Sequence, residues 1–308
     1  MSDKATRGIR FQRPRSLHFR LRSRHVLLAI IILSAYFYFS THTERIPFQN
    51  GRTPYRIQAQ FPRESAAAKK LRLQKRDEVK DAFKHAWKGY KDHAWLHDEV
   101  MPVSGGQKDP FVGWAATLVD SLDSLYIMGM NNEFAEAVAA LAQIDFSKPN
   151  ADKVPVFEVT IRYLGGLLGA YDISEHKYPA LLQKATQLGD FLYKAFDTDS
   201  GLPVPYYFWK ANVSGKLPGE EKVIIAQIAS LSLEFIRLSQ VTGDLKYAAK
   251  IQIVTDQLAY MQNITALPGM WPILANCTGN YLAFENKIFS LGVLAGKILP
   301  CSIDLMHW

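Results

Sequence analysis

The chain has 308 residues, 48% of them apolar, and a formal charge of +7, which is enough for one large domain or two small ones with a substantial core. The charge is not spread over the chain: eight of its 36 Lys/Arg and one of its 29 acids fall in residues 1–25, leaving 28 of each for the rest. A nucleic-acid-binding face on the folded part is therefore excluded as an expectation, because such a face needs a basic patch there.

In chain order, residues 1–25 form a basic tail, followed by the uncharged run from Val26 to Phe39. That run is short against the roughly 17–25 residues of a full bilayer span, and the core of a cleaved signal peptide competes for it. An anchor over 26–40 is favoured, because no small-x-small cleavage site follows and Tyr36, Phe37, Tyr38 and Phe39 match an interfacial aromatic belt. The basic flank then stays cytoplasmic, giving a single-pass type II protein with its C-terminal bulk in the lumen of the ER or Golgi. Residues 41–65, with Pro47, Gly51, Pro54 and Pro62, read as a lumenal stem.

Beyond the stem the composition turns helical. Helices are expected over 66–92, 111–129, 131–143, 155–173, 177–196, 220–241 and 244–262, separated by Gly/Pro/Asp/Ser-rich turns. The 155–173 segment carries an apolar stripe of Phe157, Ile161, Leu164, Leu168 and Tyr171, and the 220–241 segment one of Ile224, Ile228, Leu231, Phe235 and Leu238. One strand is expected, at Leu202–Trp209. The class is all-α, built of helical hairpins. Asn212, Asn263 and Asn276 stand in N-x-[ST] signals, which fit a lumenal location. Cys277 and Cys301 could form one disulfide or remain two thiols.

Three polar stripes interrupt the apolar pattern. Glu158, Arg162, Gly165 and Gly169 fall on one row of the 155–173 helix. Glycine costs a helix about 1 kcal/mol against alanine, so its use there implies close approach by a helix or a ligand; a Glu–Arg pair with packing glycines is the plainer alternative. Asp120 and Asp123 share a face of an otherwise apolar segment, where acids need a partner or a function. Gln227, Ser230, Glu234 and Arg237 read as a solvated face. His93 and His97 have a zinc-compatible spacing but no third ligand at motif distance, so a structural role is expected. Trp87, Trp95 and Trp114 read as core residues in helices.

Several of these segments resemble the class I α-1,2-mannosidases of glycoside hydrolase family 47. They are Ala82–Tyr90 with His97-Asp-Glu99, Val119–Gly129, Phe157–Tyr171, Leu231–Asp244 and Leu267–Pro272. The resemblance covers roughly residues 67–292. It implies an (α/α)7 barrel, here with about half of the hairpins, in a partial catalytic domain over 66–292. It also implies calcium-dependent, inverting removal of α-1,2-linked mannose from high-mannose N-glycans. Inverting enzymes pair an acid with a water-activating carboxylate roughly 6.5–9.5 Å away. By position, Glu158 matches the acid, Arg162 a substrate-contacting arginine, and Asp120 and Asp123 acids near the sugar.

The chain departs from the family pattern at two places. Ala226-Gln227 stands where the family carries Ala-Glu, so Gln227 keeps hydrogen bonds to sugar hydroxyls and loses charge. After Phe289-Ser-Leu-Gly292 the family's Arg and Asp are expected, but residues 293–308 do not resemble it. The family's calcium-ligating threonine is expected beyond the end of this sequence. The chain is accordingly expected to lack hydrolytic activity. A mannose-binding or quality-control module and an anchored helical interaction protein are the rival readings.

Overall fold

A computed structural model describes Ser34 and residues 61–211, 215–285 and 287–290. The basic tail, the expected anchor apart from Ser34, nearly all of the stem, Asn212, Cys301 and the 293–308 segment lie outside the described residues. The fold belongs to the compact unit Phe61–Trp308. Among the described residues no helix is long and apolar enough to cross a membrane.

The first helix, α1 (Ala66–Ala94), starts where Ser65 Oγ accepts from the Ala68 N–H at 3.2 Å, an N-cap that satisfies one of the helix's orphan donors. Only its last turns are anchored, through buried Trp87, Tyr90 and Ala94. A small hairpin of β1 (Glu99–Val100) and β2 (Gln107–Lys108) follows, antiparallel with Glu99 opposite Lys108. The expected 111–129 helix is broken. Residues 111–115 form a tight loop in which Val112, Gly113 and Ala115 all have positive φ (76°, 73° and 60°). Helix then resumes as α2 (Ala116–Asp120) and α3 (Leu122–Ile127), parted at Ser121. The apolar periodicity of the segment hid both breaks. Next is α4 (Asn131–Ala140), which ends in a 3-10 turn to Gln143.

Strand β3 (Lys153–Pro155) pairs antiparallel with β4 (Tyr206–Phe208). The single expected strand, Leu202–Trp209, is thus present only as three residues near its C-terminal end, Tyr206–Phe208. Pro155 ends β3 in extended conformation (ψ 100°) and serves as the N-cap of α5 (Val156–Val159), one position earlier than the first helical turn. A π-turn over Thr160–Leu164 leads into α6 (Gly165–Ile173). Then come α7 (Pro179–Tyr193), β5 (Val223–Ile224), α8 (Ile225–Ala229), α9 (Ser232–Thr242), α10 (Lys246–Gln262) and β6 (Leu274–Ala275), with β5 and β6 antiparallel. The expected 220–241 helix is therefore a strand and two helices.

Helix α6 lies at the centre, packed against α2, α3, α7 and α9. This explains which face is core. Val156, Val159, Tyr163, Leu167 and Ala170 are fully buried, whereas Phe157, Ile161 and Tyr171 of the expected stripe are only half-buried. The 220–241 stripe fares better: Ile228, Leu231, Phe235 and Leu238 are all buried. Among the glycines of α6 the closest backbone approach falls on Gly166, where a Cβ would stand 2.6 Å from the Val119 carbonyl oxygen. Gly165 and Gly169, the glycines singled out by their row, are less crowded: a Cβ at Gly165 would meet Glu234 and Thr160 O at 3.7 Å, and one at Gly169 would meet Asp123 at 3.9 Å. Trp114 is buried in the 111–115 loop, not in a helix, and its ring meets Phe146, Tyr163 and Phe191 edge-on at 5.4–6.0 Å. Such edge-to-face contacts add to the burial of the rings and fix the loop to α7.

Candidate functional site

The polar row of the α5–α6 segment survives the π-turn. Glu158, Arg162, Gly165, Gly169 and Asp172 all remain half-buried while the opposite face is core. Glu158 sits in the first turn of α5, whose start is tied down by the Val156 N–H donating to Pro205 O at 3.0 Å. One turn later Arg162 donates through Nε to Glu158 Oε2 at 2.9 Å, and its Nη2 lies 2.9 Å from the same oxygen as an ion pair. Its Nη1 lies 3.7 Å from Asp120 Oδ2, at the end of α2. The guanidinium stacks over the Phe111 ring at 4.4 Å, a placement that holds the cation against an aromatic face. Arg162 rides on the π-turn, a local widening of the helix that recurs at functional sites.

Asp120 faces solvent on one side and protein on the other. Burial raises its carboxyl above the usual aspartate value, Arg162 pulls it back, and Asp123 pushes it up again. Asp123 accepts from Ser124 Oγ at 3.1 Å and faces Gly169. Gln227 is half-buried on α8, which lies beside α5. The structure therefore brings Glu158, Arg162 and Asp120 into one cluster, with Asp123 one turn further along the α6 groove and Gln227 on the neighbouring helix.

Of the residues read as a solvated face, Glu234 and Arg237 turn toward this groove, and Ser230 is core. Ser230 is fully buried and donates to Ala226 O at 2.5 Å. Glu234 is half-buried against Gly165. Arg237 grips Asp172 in two bonds, Nε to Oδ2 at 2.8 Å and Nη2 to Oδ1 at 2.7 Å. The hydrogen bonds from Arg237 hold the Asp172 carboxyl below its usual value, as a fork-on-carboxylate pair does. A signal for this existed: the row of Glu158, Arg162, Gly165 and Gly169 continues at helical spacing to Asp172.

Other expected positions lie apart. His97 Nδ1 is 2.9 Å from Asp109 Oδ2. Asn263 is exposed just past α10. Asn276 is half-buried: its Oδ1 accepts from Thr278 N–H at 3.0 Å and Oγ1 at 2.7 Å, and its Nδ2 donates to Glu285. Cys277 is buried, and burial with nearby Glu220 pushes its thiol up to about 12.

A calcium site would need six to eight oxygen ligands. Among the described residues no group of three or more His, Cys, Asp or Glu side chains could hold a metal ion, and the acids at Glu158 are instead bridged by an arginine. These residues do not fit the ion.

The sequence model of glycosyl hydrolase family 47 matches residues 82–295. Among curated proteins, a probable mannosyl-oligosaccharide alpha-1,2-mannosidase 1B of Aspergillus flavus is 35% identical over 254 residues, covering 78% of this chain and 48% of its own length. The mannosyl-oligosaccharide 1,2-alpha-mannosidase MNS1 of Arabidopsis thaliana is 40% identical over 208 residues, covering 66% of this chain and 36% of its own. Among solved structures, the alpha-1,2-mannosidase from Trichoderma reesei superposes with a TM-score of 0.68 at 30% identity, over 76% of this chain and 50% of that one. The helical hairpins are thus those of an (α/α)7 barrel. The chain spans about half the length of the relatives it matches, or less.

Proposed function

The chain belongs to glycosyl hydrolase family 47, and on that premise we propose that the α5–α6 groove is the acid side of a site for α-1,2-linked mannose on high-mannose N-glycans. The observation that carries this is the cluster of half-buried Glu158 and Arg162 with the exposed Asp120 within the matched segment. Both Arg162 contacts, the Nε hydrogen bond and the Nη2 ion pair, fall on Glu158 Oε2, so Oε1 is the oxygen placed to carry the proton that a departing sugar oxygen requires. Arg162, fixed between Glu158, Asp120 and Phe111, orients the sugar. Asp120, Asp123 and Gln227 accept from or donate to its hydroxyls. Inversion also requires a carboxylate that activates water across the scissile bond. Residues 293–308 do not supply the Arg and Asp expected after Gly292.

We therefore propose that this chain binds mannose without cleaving it. Purified chain is incubated with α-1,2-mannobiose and calcium, and free mannose is measured. No release is expected; release at a rate proportional to protein, abolished by Glu158→Gln, would overturn the proposal and make the chain a working hydrolase. In the same reading, residues 26–40 anchor the protein in the ER or Golgi membrane with this unit lumenal, and Asn212, Asn263 and Asn276 are glycosylation sites. The support is the sequence pattern, with the exposure of Asn263 agreeing. A shift on peptide-N-glycosidase treatment of the secretory-pathway product tests the lumenal placement, and the absence of any shift argues against it.

A further inference from the structure

Asp98 carries no solvent exposure, yet among the described residues no cation pairs with its carboxylate. Oδ2 accepts from the Phe111 N–H at 2.8 Å and the Gly113 N–H at 2.9 Å; Oδ1 accepts from the Ala116 N–H at 3.0 Å. The Tyr163 hydroxyl proton faces both Asp98 Oδ1 and Phe111 O, each at 2.7 Å. The Asp98 carbonyl accepts from Thr117 N–H at 2.9 Å and Thr117 Oγ1 at 2.6 Å, and its own N–H donates to Asp109 Oδ1 at 2.9 Å. A buried charge left unmatched would be costly; here fixed dipoles match it from a ring of loop amides. Burial first, then the Asp98 charge, pushes the Tyr163 hydroxyl up, which keeps it a donor.

Those donors are not arbitrary. The loop they belong to holds Val112 and Ala115 at positive φ, a conformation that costs energy for any residue with a Cβ and most for a β-branched one. Such strain persists only when the surroundings over-determine it, and Asp98 takes bonds from residues 111, 113 and 116, on both sides of the two strained positions. What the loop delivers is Phe111, whose ring lies under Arg162, and the first residue of α2, the helix that ends in Asp120. Tyr163 adjoins Arg162 on the π-turn. Three routes thus lead from one carboxylate to the Glu158–Arg162–Asp120 cluster.

We propose that Asp98 is the positioning residue of this site: it sets the loop that fixes Arg162, and through Arg162 it sets Glu158. The assignment of the cluster to mannose rests on the proposed function of the groove; the positioning of Arg162 does not.

The test observes the Arg162 Nε–H by 15N NMR, assigned through Arg162→Lys, alongside binding of α-1,2-mannobiose. Asp98→Asn keeps the shape but replaces an acceptor with a donor that faces N–H groups. It is read at a temperature where circular dichroism shows the variant fully folded. Arg162 Nε–H exchange should accelerate by about tenfold or more, the factor that matches loss of one bond to a charged group, and mannobiose binding should weaken in parallel. The Arg237 Nε–H, held by Asp172, should not change. An unmoved Arg162 signal in folded Asp98→Asn overturns the proposal. If Asp98→Asn does not fold, Tyr163→Phe, which withdraws one donor and leaves the charge, must accelerate Arg162 exchange in the same direction, and no change there overturns it. A wild-type chain that binds no mannobiose sinks the sugar reading alone, since the Arg162 signal still decides the role of Asp98.

Discussion

Asp98, fully buried under the loop that leads into α2, is satisfied by neutral donors, whereas Asp172, half-exposed near the end of α6, is held by a guanidinium. The difference shows two ways of ordering a polar site. A buried carboxylate matched by backbone N–H groups fixes the backbone that supplies them, and losing it strands every donor. A solvent-side ion pair fixes two side chains, and water replaces either partner at little cost.

The comparison breaks most sharply at Asp98→Ala. Three amides lose their acceptor, and the Tyr163 hydroxyl is left with Phe111 O alone, at about 1–3 kcal/mol for each buried group left unmet. Urea unfolding should show a loss of about 4 kcal/mol or a chain that does not fold; a loss under about 1 kcal/mol would mean that water reaches the node. Next comes Gly166→Ala. The added methyl carbon would stand 2.6 Å from a backbone oxygen, which cannot swing aside as a side chain can, so α2 must move off α6 at about 1–3 kcal/mol. A fall in Tm with weakened mannobiose binding is expected, because the shift carries Asp120 away from Arg162; an unchanged Tm would contradict the packing.

The smallest effect belongs to the solvent-side pair. Arg237→Ala should cost about 1 kcal/mol or less and should matter less in high salt. The sign with pH follows from the depressed Asp172 carboxyl. Its stabilisation is present above the ordinary aspartate value of 3.8 and is lost as pH falls through the lower folded value. Asp172→Asn should therefore flatten the acid limb of the stability curve below about pH 4. An acid limb as steep as in the wild type would show that the pair contributes nothing.

The sequence makes the polar row of α5–α6 legible because helical spacing carries through a π-turn with little drift. It points to the wrong glycine, because the row marks the open face while the closest packing, at Gly166, lies on the buried one. The groove side of α9 is missed for a related reason: Glu234 and Arg237 look solvated when α9 is read alone, and only the neighbouring α6 turns them inward. The loop at 111–115 is the largest miss. Its residues are apolar at helical spacing, and nothing in Val112 or Ala115 signals positive φ; that conformation is imposed from outside, by Asp98. The family motif holds His97-Asp98-Glu99 but does not say what Asp98 does.

The central claim, that the α5–α6 groove holds mannose, is tested most directly by calorimetric titration of the chain with α-1,2-mannobiose, wild type beside Arg162→Ala. Saturable binding is expected in the wild type and none in a folded Arg162→Ala variant. Equal binding by both, or none by either, would contradict the assignment of the groove as a mannose site.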